Sequence, residues 1–572
     1  MSGFLSDPRI AESDRRFGTA LGRFSPGSAQ TLQWLGALVA RSVREGHACF
    51  SVAQVPEAMR AEVLAGLERV GREAIGDGSR PTPLVRDGDR LYLHRAYEWE
   101  RELADDLRRR ASFLRPVDVQ WLDAILDTLF PGSRRDDPRR VAVVRALESK
   151  LLVLTGGPGT GKTTTVIRLL AALVDFARND DEAPPKIALL APTGKAAARL
   201  SESIRSAVST LQVDGWTRER IPVEAQTVHR ALGLRAIGAP RFDRGNPWSA
   251  DVVLLDEASM VDLELMHQVV CATRPDARLI VIGDPNQLSS VEAGAVLADL
   301  AVGRSAMRTE TVERFRGLGL VDMREVATSA RAIDDSVVEL QVSHRYSDSS
   351  GIGRLASAVL AGEREEALSI LDAAPELHWG GEAGQRVVSS MLEAHSAMAR
   401  ASDPHQRHAL WRKHRVLCAH RRGAFGVNDL NARMRRELGV SAEGGFDGLP
   451  VFVRRNDPSV GLFNGDVGIM DGRGDVAFES SEASLRRVPL ALVPPHDDAF
   501  SMTVHQSQGS EFERVSIVLA AAESQLASRE LLYTAITRAR EAITLFGRRE
   551  SVAAAIDRKE FRDSGLGERL GE

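Results

Sequence analysis

Short apolar runs alternate with helical patterns through the middle of the chain. Four of these runs end in a polar or glycine turn: "LLVLTGG" (151–157), "IALLAPT" (187–193), "VVLLDEA" (252–258) and "LIVIGDP" (279–285). Runs that are apolar throughout are typical of strands buried on both faces of a parallel sheet, and the helical segments between them indicate a doubly wound α/β domain. The polar residues after each run are then expected at the carboxyl edge of the sheet, where such sheets bind ligands.

The same pattern returns later and divides the chain into four parts. "SVVELQVSHR" (336–345), "HRVLCAH" (414–420), "RVSIVLAAA" (514–522) and "AITLFGR" (542–548) predict a second α/β domain formed by residues 331–436 and 501–572. The segment between them, 437–500, is punctuated by Gly, Asp and Asn and predicts a small β-barrel inserted in that domain. The first α/β domain is expected over residues 116–330.

The first 115 residues carry no chemical motif. Apolar residues at helical spacing predict helices at 29–46 and 58–73, and "PLVRDGDRLYLHR" (83–95) predicts a hairpin that turns at Asp87 and Gly88. We expect residues 1–115 to be a separate helical docking domain, whose removal would leave the chemistry of the rest intact.

Charge and cysteine content narrow the classes of function. The 572 residues include 74 Lys and Arg against 79 Asp and Glu, so the formal net charge is −5 and a polyanion can be bound only where basic residues concentrate. The stretch 405–436 is locally basic, and it either follows a nucleic-acid backbone or contacts a partner. Three widely spaced cysteines argue against a CxxC metal site or a disulfide framework. We expect a cytoplasmic protein without membrane contact, because no apolar run reaches the ~18 residues of a membrane span and the N-terminus does not resemble a signal peptide.

The turn "GGPGTGKT" (156–163) matches the phosphate-binding pattern GxxxxGK[ST] and stands between a predicted strand and a predicted helix. Its glycines let backbone N–H groups turn toward phosphate oxygens, and the helix N-terminus adds partial positive charge. Lys162 is expected to reach the β- and γ-phosphates of ATP. The predicted ATP contacts are Gly156, Gly157, Pro158, Gly159, Thr160, Gly161, Lys162, Thr163, Thr164 and, near the far end of the chain, Glu511.

Carboxylates and an amide follow the next two strands. Asp256 and Glu257 end the run "VVLLDEA". Asp256 can hold Mg²⁺ together with the Thr163 hydroxyl, and Glu257 can orient or deprotonate the attacking water. Gln287, just past the following strand, is placed to contact the γ-phosphate.

Two arginines of the predicted second domain complete the candidate chemistry. Arg345 lies in "QVSHRYS" and Arg538 in "LLYTAITRAR". A guanidinium delivered from a separate domain can stabilise the charge that develops on the γ-phosphoryl group during hydrolysis. The sequence contains no NKxD-type guanine-reading motif, which argues against a GTPase of that class.

In order and spacing these motifs resemble those of superfamily 1 helicases. The matching segments are "APTGKAAARL" (191–200), "AQTVHRALG" (225–233), "DEASM" (256–260), "GDPNQLSSVEAGAVL" (283–297), "SHRY" (343–346), "TVHQSQGSEF" (503–512) and "LLYTAITRAR" (531–540). Within the superfamily, "GGPGTGKTTT", "LFNGDVG" and "HQSQGSEF" are similar to the RecD subunits of RecBCD (exodeoxyribonuclease V) enzymes, which belong to the 5′→3′ branch.

The resemblance implies a fold and a function. The fold would be two RecA-like P-loop NTPase domains, a helical N-terminal domain and an SH3-like barrel inserted in the second domain. The function would be that of an ATP- and Mg²⁺-dependent 5′→3′ DNA helicase in a RecBCD-type helicase–nuclease acting in double-strand-break repair, with RecB-like and RecC-like partners and the nuclease site on a partner. The 5′-ended single strand at a duplex end would contact Thr193, Thr227, His229, Thr503 and His505. A strand-separating pin is expected near 233–246, with Arg241 and Phe242 at its tip.

Two alternatives and one departure accompany this interpretation. A standalone RecD-like helicase would have a longer N-terminal region with helix-hairpin-helix repeats, and a non-motor ATPase would use nucleotide only as a switch within a complex. The departure is Arg139, which stands where the family has an adenine-reading glutamine and offers donors but no acceptor. ATP and GTP are therefore expected to be used with similar efficiency.

Overall fold

The computed structural model describes residues 9–55, 57–234, 239–303, 306–320, 325–326, 330–346, 350–457, 459–479 and 484–571. In this part of the chain two parallel sheets surrounded by helices carry most of the apolar core, and smaller sheets accompany them. No helix in these ranges is both long and apolar enough to cross a membrane.

The N-terminal region packs helices on a small sheet of strand order β1-β4-β3-β2. Its elements are α1 (Glu12–Leu21), α2 (Ala29–Arg44), β1 (Phe50–Ser51), α3 (Glu57–Arg69), β2 (Ile75–Gly76), β3 (Leu84–Asp87), β4 (Arg90–Leu93) and α4 (His94–Ser112). The predicted hairpin is present as β3 and β4, with Asp87 opposite Arg90. The turn residues are therefore Gly88 and Asp89, one position later than predicted, and Gly88 has a φ of 55° that suits glycine.

The first parallel sheet has the strand order β12-β5-β9-β8-β6-β7. Its region of the chain contains α5 (Val119–Leu129), α6 (Pro138–Glu148), β5 (Leu151–Gly156), α7 (Lys162–Asn179), β6 (Ile187–Ala191), α8 (Gly194–Thr210), α9 (Gly215–Arg220), β7 (Gln226–Thr227), α10 (Val228–Leu232), β8 (Val252–Leu255), α11 (Leu263–Ala272), β9 (Arg278–Gly283), α12 (Val296–Leu300), β10 (Ala306–Met307), α13 (Thr309–Gly317), β11 (Glu325–Val326) and β12 (Val337–Leu340). The four predicted apolar runs are strands β5, β6, β8 and β9, and apolar clusters cover both faces of the sheet.

Strand β12 was assigned to the wrong domain by the sequence pattern. Val337–Leu340 pairs in parallel with β5 and so forms the edge of the first sheet, not part of the second. The predicted boundary at 330/331 therefore falls too early, because an apolar run predicts a buried strand but does not identify the neighbour with which it pairs.

The second parallel sheet has the strand order β13-β22-β21-β14-β20. It is formed with α14 (Gly351–Ala361), α15 (Arg364–Ala373), β13 (Leu377–Gly381), α16 (Gln385–Ala399), α17 (Pro404–Lys413), β14 (His414–Cys418), α18 (Val427–Glu437), β20 (Ser501–Thr503), β21 (Phe512–Val518), α19 (Arg529–Ile536), β22 (Ala539–Phe546), α20 (Arg549–Asp557) and α21 (Leu566–Arg569). An antiparallel sheet of order β18-β17-β16-β15-β19 interrupts it, formed by β15 (Pro450–Val453), β16 (Val467–Met470), β17 (Asp475–Glu479), β18 (Leu485–Pro489) and β19 (His496–Asp498).

Helix α4 belongs to the core of the first sheet rather than to a separable N-terminal domain. Leu103 and Leu107 are fully buried in the cluster that includes strands β5, β8 and β9 and helix α11. The guanidinium of Arg110 is also buried and donates to the backbone carbonyls of Ala277 (2.6 Å) and Thr273 (3.1 Å). The expectation that residues 1–115 form an independent unit is wrong on this point, since the apolar stripe of an amphipathic helix does not reveal its partner.

The C-terminal segment folds back on the same helix. Buried Glu100 of α4 accepts hydrogen bonds from the Ser564 hydroxyl (2.8 Å) and the Gly565 backbone N–H (3.1 Å). Burial raises the pKa of Glu100 despite these donors. The C-terminal segment is thus held against α4 on one face of the first sheet.

Three of the eight arginines of the basic stretch 405–436 are buried inside the molecule. Buried Arg407 donates to Asp447 (2.6 Å), and Arg435 donates to Asp498 (2.7 Å), so both connect helices of the second domain to the inserted sheet. Buried Arg415 lies over the Trp411 ring at 3.7 Å. These three arginines are therefore not available for either alternative, contact with a nucleic-acid backbone or contact with a partner.

Candidate active site

The phosphate-binding loop has the expected strand–loop–helix context. β5 ends at Gly156 and α7 begins at Lys162, with Gly159 and Gly161 at φ values of 79° and 84° that side chains rarely adopt. Lys162 Nζ donates to the carbonyls of Gly156 (2.6 Å) and Gly157 (2.9 Å), so its ammonium lies across the loop.

The segment 343–346 lies on this loop and also reaches the second domain. His344 donates its backbone N–H to the carbonyl of Gly159 (2.8 Å), and a Cβ at Gly159 would stand 2.3 Å from Cβ of Arg345. The Tyr346 hydroxyl donates to the carbonyl of Ala539 in β22 (2.7 Å). Arg345 is therefore in the connection between the two sheets, not on the separate domain from which the sequence pattern predicted its delivery.

The two carboxylates follow β8. Asp256 accepts the backbone N–H of Glu257 (2.9 Å), and Glu257 has the left-handed dihedrals φ 51° and ψ 41°. A non-glycine residue in that region costs of order 1–3 kcal/mol, and such strain is concentrated at functional sites. Burial, followed by the charge of Glu257, raises the pKa of Asp256.

These oxygens fit a hard divalent cation. Asp256 and Thr163 line the same cavity, and the nearby Lys162 and Arg199 offset only in part the burial and the Glu257 charge that raise the pKa of Asp256. Carboxylate and hydroxyl oxygens are ligands that Mg²⁺ prefers.

Asp284 and Gln287 join the first sheet to the second domain. The amide of Gln287 donates to buried Asp284 (3.1 Å), which also accepts the hydroxyl of Tyr533 from α19 (3.0 Å). The Leu288 N–H donates to the hydroxyl of Thr534 in the same helix (2.9 Å). Helix α19 of the second domain thus holds the loop after β9.

Glu511 is the centre of an arginine cluster. It accepts hydrogen bonds from Arg345 (2.5 Å), from Arg540 (2.7 Å) and from Arg199 of α8. Burial alone would raise its pKa, but the charges of Arg199 and Arg345 and the hydrogen bonds outweigh it, and the pKa falls to about 2. Buried Arg538 donates to the carbonyls of Thr534 (3.1 Å) and Ser510 (3.3 Å).

One cavity brings nearly all predicted nucleotide-site residues together. Gly156 and Gly157 do not line it, but they bind Lys162 as described. The residues that do line it include Pro158, Gly159, Thr160, Gly161, Lys162, Thr163, Thr164, Asp256, Glu257, Gln287, Arg345, Glu511 and Arg538.

The predicted DNA contacts lie outside this cavity. The hydroxyls of Thr193 and Thr227 cap α8 and α10 by accepting the N–H groups of Ala196 and Arg230, each at 3.2 Å. Thr503 ends β20, where its hydroxyl accepts the N–H of Gln506 (3.2 Å). The caps leave each hydroxyl near the carboxyl edge of its sheet, because Thr193 and Thr227 follow β6 and end β7.

The two histidines differ in their surroundings. His229 is exposed, whereas His505 is half-buried and burial lowers its pKa. The predicted pin at 233–246 is only partly within the described residues, which omit 235–238. In the described part Asp243 and Asn246 form a tight turn, and Arg241 lies over Phe242 at 5.2 Å.

Comparisons with known proteins identify the family of the chain. A family model described as "AAA domain" matches residues 139–293, and one described as "UvrD-like helicase C-terminal domain" matches residues 498–546. The "RecBCD enzyme subunit RecD" of Mycolicibacterium smegmatis is 36% identical over 93% of this chain and 92% of its own length. The chain belongs to the RecD family. The RecD subunit of Haemophilus influenzae is 32% identical over 85% of this chain and 81% of its own, which agrees with that assignment.

Relatives beyond the RecD subunits are more distant. The "ATP-dependent RecD2 DNA helicase" of Deinococcus radiodurans is 29% identical over 84% of this chain, which spans 58% of that protein. Among solved structures, the Bacteroides Pif1 helicase in complex with ADP-AlF3 and ssDNA matches 77% of this chain and 95% of its own, at 15% identity and a TM-score of 0.38. The resemblance to RecD subunits inferred from the motifs is confirmed.

Sequence reasoning missed several residues of this RecD-family cavity. Arg199 follows Ala196 by three positions on α8 and lines the cavity with it, and Arg168 follows Thr164 by four on α7. Helical spacing from the predicted contact Thr164 would have identified Arg168, whereas no predicted nucleotide contact on α8 pointed to Arg199. Nothing in the local sequence indicates the contact between Tyr533 and Asp284.

Proposed function

We propose that the chain is an ATP-driven motor that moves along single-stranded DNA in the 5′→3′ direction and unwinds duplex ends as the RecD subunit of a RecBCD-type helicase–nuclease. RecB-like and RecC-like subunits would be its partners, with the nuclease site on one of them. The names of the curated relatives support the assembly. The proposal that the chain is a motor rests on the cavity itself. In it the P-loop and Glu257 of the first sheet face Glu511 and Arg538 of the second domain.

The chemistry follows from these positions. ATP phosphates would bind the P-loop N–H groups, and Lys162 would exchange the carbonyls of Gly156 and Gly157 for phosphate oxygens. Glu257 takes a proton from water as its oxygen attacks the γ-phosphorus, and the bond to the β–γ bridging oxygen breaks to release ADP. Arg345 and Arg538 stabilise the charge that this transfer develops.

Thr163 and Asp256 would hold Mg²⁺, which neutralises phosphate charge when bound. The chain supplies the rest of the electrostatic stabilisation from its own cations. Buried Arg538 and half-buried Arg345 are effective at one phosphoryl site because a low-dielectric, water-poor cavity strengthens each interaction.

Movement would come from the contacts that cross between the two sheets. Arg345 pairs with Glu511, so binding the γ-phosphate competes with that pair and changes how the second domain is held. The loop at Gln287 is bonded to Tyr533 through Asp284. Loss of the γ-phosphate would reverse both changes, and the grip on the strand would alternate with them.

The strand would run along the carboxyl edges of the two sheets. Thr193, Thr227 and Thr503 lie there, and the inserted antiparallel sheet reaches the same edge. A Cβ at Gly194, beside Thr193, would stand 3.0 Å from Cβ of Phe463 in the loop before β16. We include in the proposal that this sheet is the SH3-like insertion of the family and closes over the strand.

Strand displacement tests the proposal. The full chain, alone and with its RecB-like and RecC-like subunits, is assayed for DNA-stimulated ATP hydrolysis and for unwinding of duplexes with a 5′ or a 3′ single-stranded tail. Unwinding that requires the 5′ tail supports the motor, and activity without partners would favour the standalone helicase. DNA-stimulated hydrolysis without displacement in the full assembly would support the switch and contradict the motor.

A further inference from the structure

The nucleotide cavity continues beyond the phosphate loop. Its lining extends along α7 from Lys162 through Thr164 to Arg168 and across to Arg139 at the start of α6. Thr164 and Arg168 are four residues apart and so share one face of the helix. Arg168 lies about 9 Å along the helix axis from Lys162, at a rise of ~1.5 Å per residue. That separation suits the base of a nucleotide whose phosphates bind the loop.

Arg168 forms no ion pair with a carboxylate within the described residues, although the charge of Asp137 favours its charged form. Its Nε and Nη1 atoms are shielded from solvent and make no hydrogen bond there, and its guanidinium carbon lies 5.1 Å from the centre of the Phe130 ring. Burial and then the charge of Arg139 lower its pKa. A shielded donor without a partner destabilises the protein, so a ligand that presents acceptors to this group gains by relieving that cost.

Arg139 and Asp137 satisfy each other. Arg139 donates to both carboxylate oxygens of Asp137, through Nε (2.9 Å) and Nη2 (2.6 Å), and Asp137 also accepts the Arg139 backbone N–H (2.9 Å). The carboxylate thus holds Arg139 and caps α6, and it has little capacity left to accept from a base. Among the described residues, the groups that remain at this end of the cavity are chiefly guanidinium donors.

A donor-rich subsite distinguishes the purines. Guanine and hypoxanthine present two adjacent acceptors, O6 and N7, that match the fork of a guanidinium, whereas adenine presents N7 beside an amino group that is itself a donor. We propose that this end of the cavity is a subsite for 6-oxopurines, in which the Arg168 guanidinium binds O6 and N7, and that GTP and ITP are preferred to ATP. The proposal rests on the proposed NTPase function and goes beyond the equal use of ATP and GTP expected from Arg139 alone.

The test is a comparison of nucleotides in two independent measurements. Equilibrium binding of ADP, GDP and IDP to the full chain reports the subsite whether or not the chain is a motor, and DNA-stimulated hydrolysis of ATP, GTP and ITP reports its use. We expect GDP to bind at least fivefold more tightly than ADP, and GTP to have a kcat/KM at least fivefold higher than that of ATP. Fivefold is the lower end of the roughly 5- to 150-fold that one bidentate base contact provides. ITP should match GTP, because the two share O6 and N7 and differ only at C2.

Substitutions test whether the preference for guanine nucleotides comes from the Arg168 side chain. Arg168→Met should bring the guanine-to-adenine ratio to about one, both in binding and in kcat/KM. Arg168→Lys should restore only part of the preference, because an ammonium lacks the planar fork. Arg178→Met is the matched control, since Arg178 is on the same helix but pairs with Asp175 and Asp214.

Two results would overturn the subsite. One is a guanine-to-adenine ratio below fivefold in binding for the unaltered chain, and the other is a ratio that Arg168→Met leaves unchanged while Arg178→Met behaves like the unaltered chain. Loss of DNA-stimulated hydrolysis with all nucleotides, together with a guanine preference in binding that Arg168→Met removes, would refute the motor and keep the subsite.

Discussion

Leu107→Ala in helix α4 should destabilise the first α/β domain, although residue 107 precedes every ATP-site motif. Its side chain is fully buried between the first sheet and α11. Replacing a buried leucine by alanine costs about 2–5 kcal/mol, through lost transfer energy and the cavity left behind. For a domain of about 150–250 residues each kcal/mol corresponds to roughly 2–4 °C in Tm, so a fall of ~4–20 °C is expected.

The assay is the temperature at which DNA-stimulated ATP hydrolysis is lost, compared with the unfolding midpoint from intrinsic fluorescence. Leu35→Ala is the control, because Leu35 of α2 is equally buried but belongs to the separate apolar cluster of the N-terminal region. The control should leave the ATPase midpoint within about 2 °C, a change corresponding to less than ~1 kcal/mol.

Equal midpoints for Leu107→Ala and the unaltered chain would refute the assignment of α4 to the first domain, and so would a larger loss in Leu35→Ala. The same reasoning replaces the expectation that residues 1–115 can be removed. Their deletion takes away Leu103, Leu107 and Arg110 together, and the lost burial is comparable to the 5–15 kcal/mol that stabilises a whole domain. The truncated chain should lose ATPase activity.

Three further predictions concern the cavity. Lys162→Ala should abolish turnover without changing the thermal midpoint by more than about 2 °C, roughly 1 kcal/mol, and normal turnover would contradict the assigned phosphate contact. Glu257→Gln should slow single-turnover hydrolysis about 10²–10⁴-fold while nucleotide binding persists; equal loss of binding would contradict its role as base. Burial raises the folded pKa of Asp256 above the ordinary aspartate value of 3.8, so its ionisation opposes folding as pH rises through the folded pKa. Asp256→Asn should therefore raise the metal-free Tm at pH 8 but not below pH 3.8, and a rise of the same size at pH 3.5 would refute this explanation.

Most strands of the two parallel sheets could be predicted because their apolar runs are continuous, and the P-loop because its spacing encodes its geometry. The shorter or less apolar strands β7, β13 and β20 gave no such run. Pairing could not. The run at 337–340 predicts a buried strand equally well in either sheet, and only its hydrogen bonds to β5 decide between them. For the same reason α4 was recognisable as amphipathic while the surface that covers its stripe was not.

The candidate site divides in a similar way. Residues inside a motif, such as Lys162 and Asp256, are positioned by a few neighbouring dihedrals, so their spacing in sequence predicts their place. Arg168 and Arg199 lie outside the predicted contacts on α7 and α8, and their orientation toward the cavity depends on how those helices pack on the sheet. Sequence predicts which face of a helix a residue occupies, but the partner of that face comes from tertiary structure.

In the proposed motor, the cluster at Glu511 would let Arg345 exchange one anionic partner for another. Arg345 is held by Glu511 at 2.5 Å, and a γ-phosphate would offer the same guanidinium another anionic acceptor. Exchanging one charge-assisted hydrogen bond for another leaves only the difference between two similar energies, each of about 1.5–3 kcal/mol. The two arrangements are thus close in free energy, and a ligand needs only about 5.5 kcal/mol of differential affinity to shift a two-state equilibrium from 1:99 to 99:1. Because Arg199 and Arg540 remain on Glu511, its charge stays neutralised when Arg345 leaves, and the exchange can repeat in every cycle without exposing a buried unpaired carboxylate.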